Sequence, residues 1–111
     1  MLRLYDAFSS IKSEQEFNDL LADLFTPAEI KAFQERLKIA ELLYTTNLSQ
    51  SDIAIKVGVS VTTVTRVARF LYAEKFGGYA NVLSKLFPVR AKTLAKNQKG
   101  RLTAASRKHH A

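Results

Sequence analysis

The side chains best suited to chemistry in this 111-residue chain fall between Ser49 and Arg69. Ser49, Ser60, Thr62, Thr63 and Thr65 offer hydroxyls, Gln50 an amide, Arg66 and Arg69 guanidinium forks, and Val61 an apolar contact. These types suit a nucleic-acid surface: Thr and Val methyls can touch thymine methyls, hydroxyls can bond base edges or phosphate, and Arg can fork onto guanine. Catalysis has a weaker footing. Glu14, Glu16, Asp19 and Asp23 form an acidic cluster with no His, Cys or glycine-rich loop beside it, so solubility and helix capping are the plainer reading. His109 and His110 adjoin each other at the terminus without a Cys, Asp or Glu nearby, which makes a poor metal site. No metal, no cofactor and no enzyme activity are expected.

As for what holds these residues in place, Ser49 and Ser60 are N-cap residues and Gly58 supplies the backbone freedom of a tight turn between two short helices. This is a helix-turn-helix pattern. Small Ala54 lets the helices approach, and Ile53, Val57, Val59, Val64 and Val67 recur where the helices must meet. On the second helix, Val64, Val67, Ala68 and Leu71 make a buried stripe, which turns Thr62, Arg66 and Arg69 to the opposite face. That helix is expected to reach about Lys75, with Gly77-Gly78 stopping it as a C-terminal glycine cap.

The rest of the chain reads as helices that support this pair. Leu4, Ala7, Phe8 and Ile11 suggest a short first helix within residues 2–11. Ser13 with Glu16 is a capping box ahead of a stripe of Phe17, Leu20, Leu21, Leu24 and Phe25. Thr26-Pro27-Ala28-Glu29 starts a long helix with a cap, a proline at the first helical position and a reciprocal Glu. That helix carries Ile30, Phe33, Leu37, Ala40 and Tyr44 on one face and Ile39, Leu42 and Leu43 besides, so it is expected to be central. Tyr79, Val82, Leu83, Leu86 and Phe87 mark a last helix, closed by Pro88. With no alternating stretch and no repeat, the fold class is all-α, about six helices.

Charge is more informative mapped than summed. Residues 1–87 hold ten Lys/Arg and ten Asp/Glu, so the net +7 comes from Arg90, Lys92, Lys96, Lys99, Arg101, Arg107 and Lys108. Two parts are expected: residues 1–87 as a helical DNA-binding and dimerisation domain, and residues 88–111 as a basic, disordered tail. Such a charge excess favours a polyanion. A chain of this length buries only a modest core, so a partner subunit is expected. With no Cys, no signal peptide and no long apolar run, a cytoplasmic chain without a membrane partner is expected.

Residues 25–86 resemble the tryptophan repressor superfamily, and more closely its YerC/YecD branch. The resemblance is carried by Thr26-Pro27-Ala28-Glu29, Arg36-Leu37-Lys38-Ile39, Leu48-Ser49-Gln50, Gly58-Val59-Ser60 and Thr63-Val64-Thr65-Arg66, with Gly77-Gly78-Tyr79 typical of the branch. It implies a six-helix protomer in an intertwined homodimer that presents two helix-turn-helix units to successive major grooves. In tryptophan-sensing members, an Arg on the long helix and one on the recognition helix flank the bound indole; these match Arg36 and Arg66. Those members follow the second Arg with a glycine and then a Ser that helps hold the ligand, where this chain has Val67 and Phe70. A filled pocket and no response to tryptophan are expected, with Arg36, Arg66, Val67 and Phe70 as vestigial pocket positions.

The resulting expectation is a sequence-specific transcriptional regulator, a repressor, that binds double-stranded DNA as a homodimer through Ser49, Gln50, Ser60, Val61, Thr62, Thr63, Thr65, Arg66 and Arg69. The rival is a helical interaction module whose tail binds RNA or an anionic membrane surface. A docking face would favour an apolar patch, whereas Thr62, Arg66 and Arg69 make a polar and positive one.

Overall fold

The computed structural model of the chain describes residues 1–73 and 76–88. These form six α-helices and no strand: α1 (Leu4–Ser9), α2 (Glu14–Leu24), α3 (Pro27–Thr45), α4 (Gln50–Val57), α5 (Val61–Tyr72) and α6 (Gly78–Leu86). The all-α expectation therefore holds. The basic tail expected over residues 88–111 lies, beyond Pro88, outside the described residues.

The chain divides within α3 into two compact units, one ending at Gln34 and the other starting at Glu35. In the first, α1 is short and has Arg3 as its N-cap residue, whose guanidinium donates to Asp6 at 2.8 Å and 2.9 Å; that pair holds the Asp6 carboxyl below its ordinary range. Ser13 caps α2 by accepting from the Glu16 N–H, but Glu16 reaches past the cap to the backbone N–H of Lys12, so the expected box is displaced by one residue on that side. At α3 the box is complete: Thr26 Oγ1 accepts from the Glu29 N–H at 3.1 Å and Glu29 accepts from the Thr26 N–H at 2.9 Å. Phe8 stands near Phe17 and Phe25 meets Phe33 edge to face at 5.0 Å. None of residues 1–34 is fully buried, and Leu4, Tyr5, Phe17, Leu24 and Phe33 are exposed.

The second unit contains the core. The C-terminal half of α3 contributes Ile39, Ala40, Leu42, Leu43 and Tyr44, buried almost all round, which is what its double apolar stripe predicts. Burial raises the Tyr44 hydroxyl above its usual pKa. Ile53 and Ala54 from α4, Val64, Val67, Ala68 and Leu71 from α5, and Leu83 from α6 complete the cluster, with Val57 and Val59 packed at its edge. Tyr72 ties the end of α5 to α3 by donating to the Leu43 carbonyl at 3.1 Å.

Two helix ends differ from expectation. α5 stops at Tyr72 with Ala73 as its C-cap, and Gly77, at φ +66°, is the N-cap of α6 rather than a terminator of α5. A left-handed glycine serves a turn entering a helix as well as one leaving it, and spacing alone does not distinguish the two.

Candidate nucleic-acid interface

The helix-turn-helix is built as its residue types require. Ser49 accepts from the Asp52 N–H at 3.1 Å, and Ser60 accepts from the Thr63 N–H at 3.2 Å, each satisfying a donor left over at a helix start. Between them Gly58 adopts φ +84° and ψ 40°, and the backbone N–H groups of Gly58 and Val59 both donate to the Ala54 carbonyl, at 2.9 Å and 3.0 Å. That pair of bonds turns the chain sharply out of α4 and into α5.

The wholly buried Val64 and Val67 fix the rotation of α5 about its axis. The opposite face is exposed, and there Val61, Thr62, Thr65, Arg66 and Arg69 surround one shallow depression of about 340 Å³. All five belong to the set expected from the sequence. Gln50 joins them across the helix pair, since Thr65 Oγ1 donates to Gln50 Oε1 at 2.8 Å. Ser49 and Ser60 serve as caps, and half-buried Thr63 turns its hydroxyl to Ser60 at 3.0 Å, so these three stand off the depression. Arg69 lies against the ring of Phe70, 5.9 Å from its centroid.

The four pocket positions also come together. Arg36, Arg66, Val67 and Phe70 line a mostly apolar groove of about 780 Å³ shared by α3, α5 and α6, along with Leu37 and Tyr79. Val67 and Phe70 form part of its lining rather than filling it, contrary to the expectation of a closed space. The reason is that Phe76 and α6 add walls that the two positions alone did not reveal. Arg66 lines both this groove and the depression on the exposed face.

Sequence reasoning missed the Thr65–Gln50 bond and the Tyr72–Leu43 bond. Both depend on the angle between helices, for which no local spacing is a signal. It also missed Phe76, exposed and 6.4 Å from the ring of Phe70. Among the described residues no group of His, Cys, Asp and Glu could hold a metal, and no helix is long and apolar enough to cross a membrane.

Fold and site together define a helix-turn-helix protein, all-helical among the described residues, whose second motif helix exposes a polar, positive face. The chain belongs to the Trp repressor family: the model of the Trp repressor protein matches residues 1–87. It is similar to the Trp operon repressor homolog of Chlamydia caviae, 35% identical over 81 residues that cover 71% of this chain and 80% of that protein. No solved structure matches the chain significantly.

Proposed function

We propose that this chain is a DNA-binding transcriptional repressor that reads a specific sequence with α5 in the major groove, and that it stands closest to the YerC/YecD branch of its family. The observation that carries the reading is the division of α5 into a buried stripe and an exposed face of Val61, Thr62, Thr65, Arg66 and Arg69. Methyls, hydroxyls and guanidinium groups side by side on one helix suit base edges and phosphates, and offer nothing that activates a substrate.

The working form is a homodimer. Residues 1–34 carry amphipathic helices without a fully buried side chain, and Leu37, Val82 and Leu86 are exposed at the groove. Apolar stripes left in water at this density call for a second subunit. Residues 1–87 act as the DNA-binding and dimerisation domain, residues 88–111 as a basic tail that adds phosphate contacts in the cytoplasm.

Tryptophan is not the corepressor. Val67 stands where the sensing members of the family have glycine, and Phe70 replaces the hydroxyl that would hold the ligand's ammonium, which removes a hydrogen bond worth about 1–3 kcal/mol in a partly buried place. Selection of binding sites from random duplex DNA, followed by titration of the selected duplex with and without L-tryptophan, tests both statements. A palindromic consensus bound equally tightly under the two conditions is expected. No enriched sequence would remove the repressor reading and favour the interaction module; a tenfold tightening by tryptophan would restore the corepressor.

A further inference from the structure

We propose that Thr65 is a positioning residue: by donating its hydroxyl proton to Gln50 Oε1, it turns the Gln50 amide nitrogen outward as a donor to a DNA phosphate. The inference rests on the DNA-binding reading above and assigns a specific task to one hydrogen bond within it.

The geometry contains a competition. Thr65 Oγ1 stands 2.8 Å from Gln50 Oε1 and 3.0 Å from the Val61 carbonyl oxygen, and it has a single proton for these two acceptors. Two hydrogen-bonded arrangements are therefore open to the pair. In the first the proton goes to Oε1, and Gln50 Nε2, on the far side of the amide carbon, keeps both its protons for a partner outside the protein. In the second the proton returns to Val61, the local back-bond that a helical Thr commonly makes, and the Gln50 amide rolls over so that Nε2 donates to Thr65 Oγ1. The outward group is then Oε1, an acceptor. The structure has the first arrangement, since Oε1 is the amide atom that faces Thr65 Oγ1.

A phosphate distinguishes the two. Its oxygens are acceptors carrying negative charge, so they bond the outward NH₂ and repel the outward carbonyl. Thr65 thus sets the polarity that α4 presents beside the Thr62, Arg66 and Arg69 face, without touching the phosphate itself. Because the bond joins residues fifteen positions apart on two helices, it also couples the start of α4 to the recognition helix.

The test uses the full-length protein, a mixed-sequence duplex of about 30 base pairs at low salt, and the duplex recovered by selection. Thr65→Val keeps the branched shape and loses the hydroxyl; Gln50→Ala removes the amide. Each should weaken binding about tenfold on both duplexes, since a phosphate bond carries no sequence information. The double variant should be no weaker than the worse single one, because both substitutions remove the same bond to phosphate. Thr65→Ser, which restores the hydroxyl, should bind within about twofold of the parent. Gln50→Glu still accepts the Thr65 proton but has no donor, and should bind worse than Gln50→Ala. A merely structural Thr65 would lower the urea midpoint without reproducing this order.

Failure of the parent protein to bind any duplex would remove the DNA-binding reading itself. Parent binding with undiminished binding by Thr65→Val, or with single losses that add in the double variant, overturns the role of Thr65 alone. Should Thr65→Val not fold, the Gln50 pair decides, and Gln50→Glu binding as well as Gln50→Ala overturns it.

Discussion

Replacing Gly58 isolates the conformational cost of the turn between α4 and α5. Gly58 sits at φ +84° and ψ 40°, in the left-handed region, and a Cβ placed there meets nothing within 4 Å. Gly58→Ala therefore introduces a backbone penalty with no clash to add to it. Holding alanine in this region costs roughly 1–2 kcal/mol. The lower freedom of the unfolded alanine chain offsets roughly 0.4–1 kcal/mol of that, so the net loss should be about 1 kcal/mol. Gly58→Asn should lose less, because a short polar side chain tolerates left-handed backbone, and β-branched Gly58→Val should lose most. The assay is urea unfolding followed by helical circular dichroism, at one protein concentration because subunit association shifts apparent stability. Alanine within about 0.3 kcal/mol of the parent, or asparagine worse than alanine, would refute the reasoning, since either result means that the turn abandons its left-handed residue. A loss beyond about 3 kcal/mol would show that the new methyl meets a neighbour after all.

Sedimentation at micromolar concentration should give twice the chain mass, and a clean monomer would remove the two-fold arrangement and the paired half-sites about 10 base pairs apart that go with it. Thr62→Ala and Arg69→Ala should each cost about 1–3 kcal/mol on the selected site and much less on random duplex; equal losses on both would reassign them to the DNA backbone. Removing residues 89–111 should weaken binding to all duplexes alike and reduce the log–log salt slope by roughly 0.9 for each phosphate that the tail neutralises, with specificity kept. Glu29 is held below its ordinary value, near 4.5, by the N–H and hydroxyl of Thr26. Its capping contribution is complete above that ordinary value and is lost as pH falls through the lower folded one. Glu29→Gln should accordingly flatten the acid loss of helical signal, and an unchanged acid limb would contradict the capping role.

Local chemistry was the legible part of this chain. Ser49, Thr26 and Ser60 cap helices because a hydroxyl before a helix start has few other uses, and Gly58 turns because little else accepts its dihedral angles. The buried stripe of α5 follows from period alone, and it fixes which side chains are left for the exposed face. What depends on the angle between helices was not legible. Thr63 belongs to an ST pattern that suits base contact and capping equally, and its turn toward Ser60 is decided by helix geometry. Gly77 is read from sequence as a stop for α5 and Val67 as filling a pocket, whereas α6 sets the role of the first and the walls around the second.

Arg66 lines two concavities on different sides of α5, and its side chain has a single guanidinium to serve both. An occupant of the groove that draws this group inward subtracts it from the face presented outward, and one that pushes it out adds it there. If an occupant of the groove shifts this group, the two surfaces share a coupling free energy, and reciprocity then requires that docking on the outer face change the groove's affinity for that occupant by the same factor in return. A tenfold effect in one direction, about 1.4 kcal/mol, is a tenfold effect in the other. In that case Arg66→Ala would leave each surface with its own affinity and erase the portion of the cross-talk that passes through this residue.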